Sequence, residues 1–498
     1  MKFTEAIEKS LEKDSKFTKT ENNGKQFATT NSALVDLFAT IGALRNKSND
    51  EIESAFAEAY VESPLLATRM AFYARDIRHG GLGERRIFRT IISLLGQYDP
   101  ATIALNIDLI PYFGRFDDLF SLVGTKSESE MWEYISSTLV NDLLDMHNGY
   151  SITQLAKWMP SINTSSKATR SLAKLCAKHL SMTDRTYRKT LSELRSYIDI
   201  VERKMSNNRW DEINYPTVPS KAMMTYQRAF AKHSPERFVE YITKVTNGTE
   251  KINATTLYPY DIVRDYGFRF DTDARFQYHT ATDAFDAVLE EQWKALPNYV
   301  SGNHNVLVMA DTSGSMGGLP LQIAIGLAVY FAERNTGEYK DLFLTFSNQP
   351  EYVKLSGKTL KDKLSGIKSI VANTNIEKAF DLILQTALDN DVPQLEMPKS
   401  LVVITDMEFD ESTDGNRSYK TAKKKFQNAG YELPTVIFWN VAQRTTGFQV
   451  RADTDNVLLV SGSSAGTFKN ILNNIGTTPY EFMIETLNSE PYNQINLA

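Results

Sequence analysis

Apolar positions divide the chain into two stretches with different periods. From about residue 32 to residue 245 they recur at spacings of three and four. Ser32 to Leu44 shows the pattern: Leu34, Leu37, Phe38, Ile41 and Leu44 fall on one face of a helix. The same spacing predicts helices over 51–61, 64–77, 85–96, 101–111, 116–123, 129–146, 168–180, 184–202, 220–232 and 236–246. Turn-forming segments separate them, among them Gly80-Gly81-Leu82-Gly83, Asp99-Pro100, Tyr112-Phe113-Gly114, Met159-Pro160 and Tyr215-Pro216. The loops are short and no strand-like alternation is sustained. Successive antiparallel helix pairs are expected, an all-helical layer of HEAT-like repeats, although no fixed sequence period marks them.

Near residue 300 the pattern changes. Asn305 to Asp311 is an apolar run of strand length, Leu319 to Arg334 reads as a helix, and Asp341 to Ser347 as a second strand. Helices are predicted at Lys358–Ile370 and Asn375–Leu388, then a strand at Ser400–Thr405, a helix at 418–429, strands at 434–440 and 456–460, and helices near 466–475 and 478–487. Strands that are apolar throughout and alternate with helices specify a parallel sheet covered on both faces. The predicted class is therefore α plus α/β, a helical domain over 1–298 followed by a doubly wound, Rossmann-like α/β domain over 299–498. The boundary falls in Ala295-Leu296-Pro297-Asn298-Tyr299-Val300-Ser301-Gly302.

At 498 residues the chain exceeds what one core organises, and its 42% hydrophobic and 23% charged residues are those of a globular protein. The net charge of −6 hides an asymmetry: residues 151–250 carry 17 Lys+Arg against 9 Asp+Glu, whereas residues 299–498 carry 17 against 22. The one cysteine, Cys176, excludes an intrachain disulfide and a cysteine-rich metal site. The opening residues lack the apolar core of a signal peptide, and no apolar run reaches about 18 residues. A soluble, cytoplasmic protein is expected.

In a doubly wound sheet, ligands gather at the carboxyl ends of the strands. Three segments place oxygen donors there: Asp311-Thr312-Ser313-Gly314-Ser315 after the first strand, Thr374 just ahead of a helix, and Thr405-Asp406 at the end of another strand. A hard cation such as Mg²⁺ takes oxygen ligands and keeps some of its waters. Two serine hydroxyls one residue apart can point the same way, with Gly314 allowing a tight turn between them. Taken singly, each piece has a plainer reading. Asp311 to Gly314 is a turn after a strand, Thr374 is a helix cap partnered by Glu377, and Asp406 caps a turn. Together they define a candidate site of Asp311, Ser313, Ser315, Thr374 and Asp406 for Mg²⁺, or for another divalent cation such as Mn²⁺ or Ca²⁺, with one position open to a partner. Catalytic patterns are missing: no P-loop, no His-Glu-x-x-His and no nucleophile elbow occur, and where an aspartyl phosphotransferase wants a second acid after Asp311 there is Ser313.

The order Asp-x-Ser-x-Ser, then Thr, then Asp over about 300–498 resembles the metal-ion-dependent adhesion site of von Willebrand factor A domains. That resemblance implies direct metal contact by Ser313, Ser315 and Thr374, contact largely through water by Asp311 and Asp406, and a partner carboxylate completing the shell. Glu408, Asp410 and Glu411 would form an acidic rim. Ahead of it, the succession Ser63-Pro64-Leu65-Leu66, Arg75 to Arg86, Tyr112 to Leu119, Leu155 to Pro160 and Val218 to Ala222 resembles a family joining a helical half to an A domain. More distantly it is similar in architecture to the Ro ribonucleoproteins (TROVE), a ring of helical repeats closed by an A domain.

What that likeness implies is a non-enzymatic, ribonucleoprotein-like scaffold that binds small structured RNA on its helical part. Arg75, Arg78, Arg85, Arg86, Lys157, Lys167, Arg170, Arg188, Lys189, Arg203 and Lys204 are the candidate RNA contacts. Guanidinium forks beside a glycine-rich loop suit phosphates. The same charges also read as solvated helix faces or as structural pairs, Arg75 with Asp76 and Glu84, and Arg115 with Asp117 and Asp118. A metal-dependent protein–protein adaptor without RNA is the alternative function.

Overall fold

A computed structural model describes residues 17–21, 23–272, 278–300, 305–346, 350–367, 375–409, 415–444 and 447–498. Its strands are β1 (Phe17–Lys19), β2 (Lys25–Phe27), β3 (Arg269–Thr272), β4 (Tyr278–Ala281), β5 (Val306–Asp311), β6 (Leu342–Phe346), β7 (Glu351–Lys354), β8 (Ser400–Thr405), β9 (Thr435–Asn440) and β10 (Val457–Ser461). Six form one sheet in the order β10-β9-β8-β5-β6-β7. Its neighbours run parallel, except that β7 is antiparallel to β6. The protein is thus mixed helical and α/β, with the mostly parallel sheet in the C-terminal part.

The sequence explains the sheet. Every residue of β5, β8, β9 and β10 is buried, which a strand achieves only when both of its faces are covered. Helix Leu319–Arg334 packs on β5, β6 and β8, and its nearly continuous apolar sequence suits that deep position. Helices Ala33–Phe38 and Pro479–Leu487 lie against β10. β7, Glu-Tyr-Val-Lys, carries no apolar period because it is largely exposed; charged residues at both ends guard the sheet's edge. The ribbons β1–β2 and β3–β4 also lie in the stretch expected to be all-helical. They are only three or four residues per strand, too short to show a period.

After β5 the chain proceeds to β6 and β7 on one side, then returns to β8, β9 and β10 on the other. The order reverses at β5, so the carboxyl ends of β5 and β8 flank a topological switch point.

The chain forms two compact units, which cut it differently from the linear division 1–298 and 299–498. One comprises Met1–Met70, His79–Leu82 and Ala254–Pro491; the other Ala71–Arg78, Gly83–Asn253 and Tyr492–Ala498. In the first, the segment after Ala33–Phe38 meets the end of β10 backbone to backbone. A Cβ on Gly42 would stand 2.6 Å from the Gly462 Cα, so any side chain there forces the two apart.

The second unit is helical. Helix Glu128–His147 packs against Asp184–Tyr197, and Ser220–His233 against Pro235–Thr246. Phe72 joins Phe88 and Phe113 at ring separations of 5.4 and 5.6 Å, and Tyr492 stacks on Phe113 at 5.5 Å. A fully buried carboxylate, Asp118, accepts from Arg75 Nε at 2.7 Å, Arg89 Nε at 2.6 Å and the Arg115 backbone N–H at 3.0 Å. Arg89 and Arg115 also pair with Asp117, and the Arg115 guanidinium lies 4.0 Å over the Trp158 ring. Gly114 leaves the necessary space, since a Cβ there would run into the Asp118 carboxylate and stand 2.9 Å from Arg75 Nε. Among the described residues no helix is long and apolar enough to cross a membrane.

Candidate metal site at the carboxyl edge of the sheet

The site begins where β5 ends. Asp311 is completely buried, and its Oδ1 accepts from the Ser313 N–H at 2.8 Å, which curls the chain into the short turn Gly314–Met316. That turn brings the Ser313 and Ser315 hydroxyl oxygens to 3.0 Å from each other. From the adjacent strand, Thr405 donates its hydroxyl to Asp311 Oδ2 at 2.6 Å. Asp406 follows, 1% exposed, with its Oδ1 accepting from the Glu408 N–H at 3.2 Å and its carboxylate bonded to the Ser315 hydroxyl. The next residue, Met407, is held at φ 65°, a left-handed conformation that costs a branchless but bulky side chain of this kind about 1 kcal/mol or more. It is kept there by the Thr405 hydroxyl, which accepts from the Met407 N–H at 3.1 Å.

Two carboxylates therefore share a dry corner. Burial, and then the charge of Asp406, push the Asp311 carboxyl up to about 7, against the hydrogen bonds from Thr405 and Ser313 that favour its ionised form. Asp406 is raised as well, by burial first; the Ser315 hydroxyl, the Glu408 N–H and Arg444 oppose the shift, and the charge of Glu408 adds to it. Asp406 Oδ2 has no hydrogen-bond partner.

The sequence-predicted donors Asp311, Ser313, Ser315 and Asp406 are thus brought together; Thr374 lies outside the described residues. A buried carboxylate oxygen without a hydrogen bond, beside a second raised carboxylate and two hydroxyls, fits a hard divalent cation. Asp311, Ser313, Ser315 and Asp406 would hold it, and the ion would supply positive charge to a pair of buried carboxylates. Among the described residues, no group of three or more His, Cys, Asp or Glu is arranged for a metal; this corner has two carboxylates and two hydroxyls. Of the expected acidic rim, Glu408 is buried and its Oε2 accepts from the Glu21 N–H at 2.6 Å, whereas Asp410 and Glu411 fall outside the described residues.

Sequence reasoning places Thr405 at this edge without its role, and it misses two further participants, Arg444 and Glu21. Thr405 orients Asp311. Arg444, in the loop after β9, donates from Nη2 to the Ser315 carbonyl at 2.6 Å and stands 3.5 Å from Asp406 Oδ2. Glu21, between β1 and β2, approaches the same guanidinium at 3.4 Å. Arg444 was findable, since it follows a strand whose carboxyl end lies on the same edge; Glu21 was not.

The candidate RNA contacts scatter over several environments. Arg75 is enclosed with Asp118, and Lys204 is 11% exposed at its side chain and pairs with Asp199 at 2.7 Å. Arg203 turns back on the Ser192 carbonyl and hydroxyl. Arg78 is exposed while donating to the Tyr112 carbonyl at 2.7 Å, and Arg85 and Arg86 are exposed at the start of helix Arg85–Tyr98. Lys157 lies 5.6 Å from the Trp158 ring centre. Lys167 and Arg170 on helix Lys167–His179, and Arg188 and Lys189 on Asp184–Tyr197, face solvent.

The chain thus combines a helical unit with a mostly parallel sheet whose switch point gathers buried carboxylates and hydroxyls. The chain belongs to the family described as Domain of unknown function (DUF2828), which matches residues 20–137 and 151–303. A second match, Domain of unknown function (DUF7788), covers residues 305–493. The chain is 28% identical over 516 residues to the Uncharacterized protein L728 of Acanthamoeba polyphaga mimivirus, an alignment covering 95% of this chain and 87% of that protein. No solved structure matches.

Proposed function

We propose that this protein is a non-enzymatic adaptor whose C-terminal sheet is a von Willebrand factor A-type domain, holding a divalent cation at its carboxyl edge and docking a partner carboxylate on it. The convergence of Asp311, Ser313, Ser315 and Asp406 at the switch point supports this reading most strongly. Mg²⁺ is the expected ion, with Mn²⁺ and Ca²⁺ as alternatives on the same oxygen donors. Calorimetric titration with Mn²⁺ should show one saturable site in the intact chain, lost in Asp311→Ala and weakened at least tenfold in Ser315→Ala. Equal Mn²⁺ binding by all three proteins would sink the metal reading.

The second reading, RNA held by HEAT-like repeats of the helical unit, has its own support. Helix Lys167–His179 carries Lys167, Arg170, Lys174 and Lys178 with no acidic residue, and the adjacent helix presents Arg188 and Lys189. Such a stripe would neutralise phosphates and release counterions. Retention of structured RNA by the full chain should fall steeply between 50 and 200 mM salt, as typical for about 6–10 phosphate contacts. The double variant Arg188→Glu, Lys189→Glu should weaken it roughly tenfold or more. Retention that ignores both salt and these charges would leave the adaptor without an RNA role.

A further inference from the structure

The position of Arg444 bears on how tightly the candidate site holds a cation. Its guanidinium is anchored from two directions, by the Ser315 carbonyl at 2.6 Å and by the Glu21 carboxylate at 3.4 Å, and its Nε faces Asp406 Oδ2 at 3.5 Å. That oxygen is the one without a hydrogen-bond partner. Glu21 is itself fixed. Its N–H donates to Glu408 Oε2 at 2.6 Å, the neighbouring Thr20 hydroxyl donates to the Phe409 carbonyl at 2.7 Å, and Gln26 Nε2 donates to the Met407 carbonyl at 2.7 Å. Phe27 and Phe448 exchange two backbone hydrogen bonds, each of 2.9 Å. The β1–β2 ribbon is thus laced to the loop that follows Asp406, and it delivers a carboxylate to the outer side of Arg444.

We propose that Arg444 sets the cation affinity of the site: held by Glu21 and the Ser315 carbonyl, its guanidinium stands against Asp406 as an intramolecular counter-cation with which an incoming divalent ion must compete. The proposal rests on the metal reading above. A single positive charge fixed a few ångströms from a dication lowers the dication's affinity, and the half-exposed position of Arg444 moderates the effect without removing it. The ribbon enters because it holds the charge in place. Attraction to Asp406 and repulsion from Arg444 both scale with the charge of the ion, so Arg444 lowers the affinity without abolishing it.

The test is a Mn²⁺ titration of the full chain at pH 8, followed by calorimetry and by the free-Mn²⁺ paramagnetic resonance signal. Arg444→Gln should bind Mn²⁺ about tenfold more tightly than the unmodified chain, and Arg444→Lys, which keeps the charge, within about threefold of it. Arg444→Met, which keeps the aliphatic stem, replaces the glutamine variant if that one fails to fold. Equal or weaker binding in the neutral variants, or equal tightening in Arg444→Lys, overturns the role of Arg444; loss of the ion in Asp311→Ala in the same series leaves the metal site standing. No saturable binding in any of these proteins overturns both.

Discussion

Replacing Asp118 by alanine should destabilise the helical unit by about 3–5 kcal/mol, the range for removing one partner of a buried ion pair. Asp118 has no exposed surface and takes two guanidinium Nε groups and a backbone N–H on its two oxygens. Without it, Arg75, 6% exposed at its side chain, remains as a buried charge facing Arg89 and Arg115. The burial of Arg115 already pulls its guanidinium below the usual range, and the charges of Arg85 and Arg75 add to that, so this corner cannot absorb another unpaired cation. Asp118→Asn keeps the shape and one acceptor oxygen, enough at the Oδ2 position for the bonds from Arg75 and the Arg115 N–H, and it should cost roughly half as much. Urea denaturation read by circular dichroism distinguishes the outcomes: an unchanged midpoint in Asp118→Ala would mean that the cluster is bystander charge and not the organising feature of these helices.

The second large effect is a stability that depends on pH and on metal in opposite senses. The folded, metal-free protein holds a proton on Asp311 up to about pH 7, whereas the unfolded chain releases it near 3.8. Between these values the native state binds more protons than the unfolded one, so stability falls as pH rises. The contribution is fully present below about pH 4 and lost once pH passes about 7, roughly 2–4 kcal/mol in all. Asp311→Asn has no such charge to bury, and it should be more stable than the unmodified chain in chelator at pH 8, by about that amount. Added Mg²⁺ should reverse the ranking, because an ion that binds only the folded state stabilises it by mass action, and the asparagine variant lacks the charge to hold it. Superimposable pH profiles of the two proteins in chelator would show that Asp311 is ionised without penalty.

Long, strongly periodic elements were legible in the sequence. The predicted helix Leu319 to Arg334 and strand Ser400 to Thr405 coincide with the observed ones, because each is apolar at nearly every position and bounded by turn-forming residues. β7 and the two ribbons were not legible, being short and either exposed or held by partners far along the chain. The same contrast runs through the candidate site. Asp311, Ser313, Ser315 and Asp406 were visible because strand ends announce themselves locally. The bond from Thr405 to Asp311 spans 94 positions and that from Arg444 to Glu21 spans 423, separations across which no local pattern carries information.

The division of the chain between its units has a consequence for how it is made. Met1–Met70 belongs with the sheet, yet the sheet unit runs on to Pro491, and the helical unit is completed by Tyr492–Ala498. In that closing segment the Tyr492 hydroxyl donates to Asp76, and Asn496 exchanges hydrogen bonds with Asn106. Neither unit can therefore finish before these residues have been made. The first residues must wait for partners more than 400 positions downstream, as the hydrogen bond from the Gly42 N–H to the Ser461 hydroxyl shows. Contacts this far apart in sequence favour slow folding with apolar surface exposed in the interval, so co-expressed chaperones should raise the soluble yield of this protein. A fragment ending at residue 298 contains neither unit whole, and its insolubility would say nothing about the activity of the intact chain.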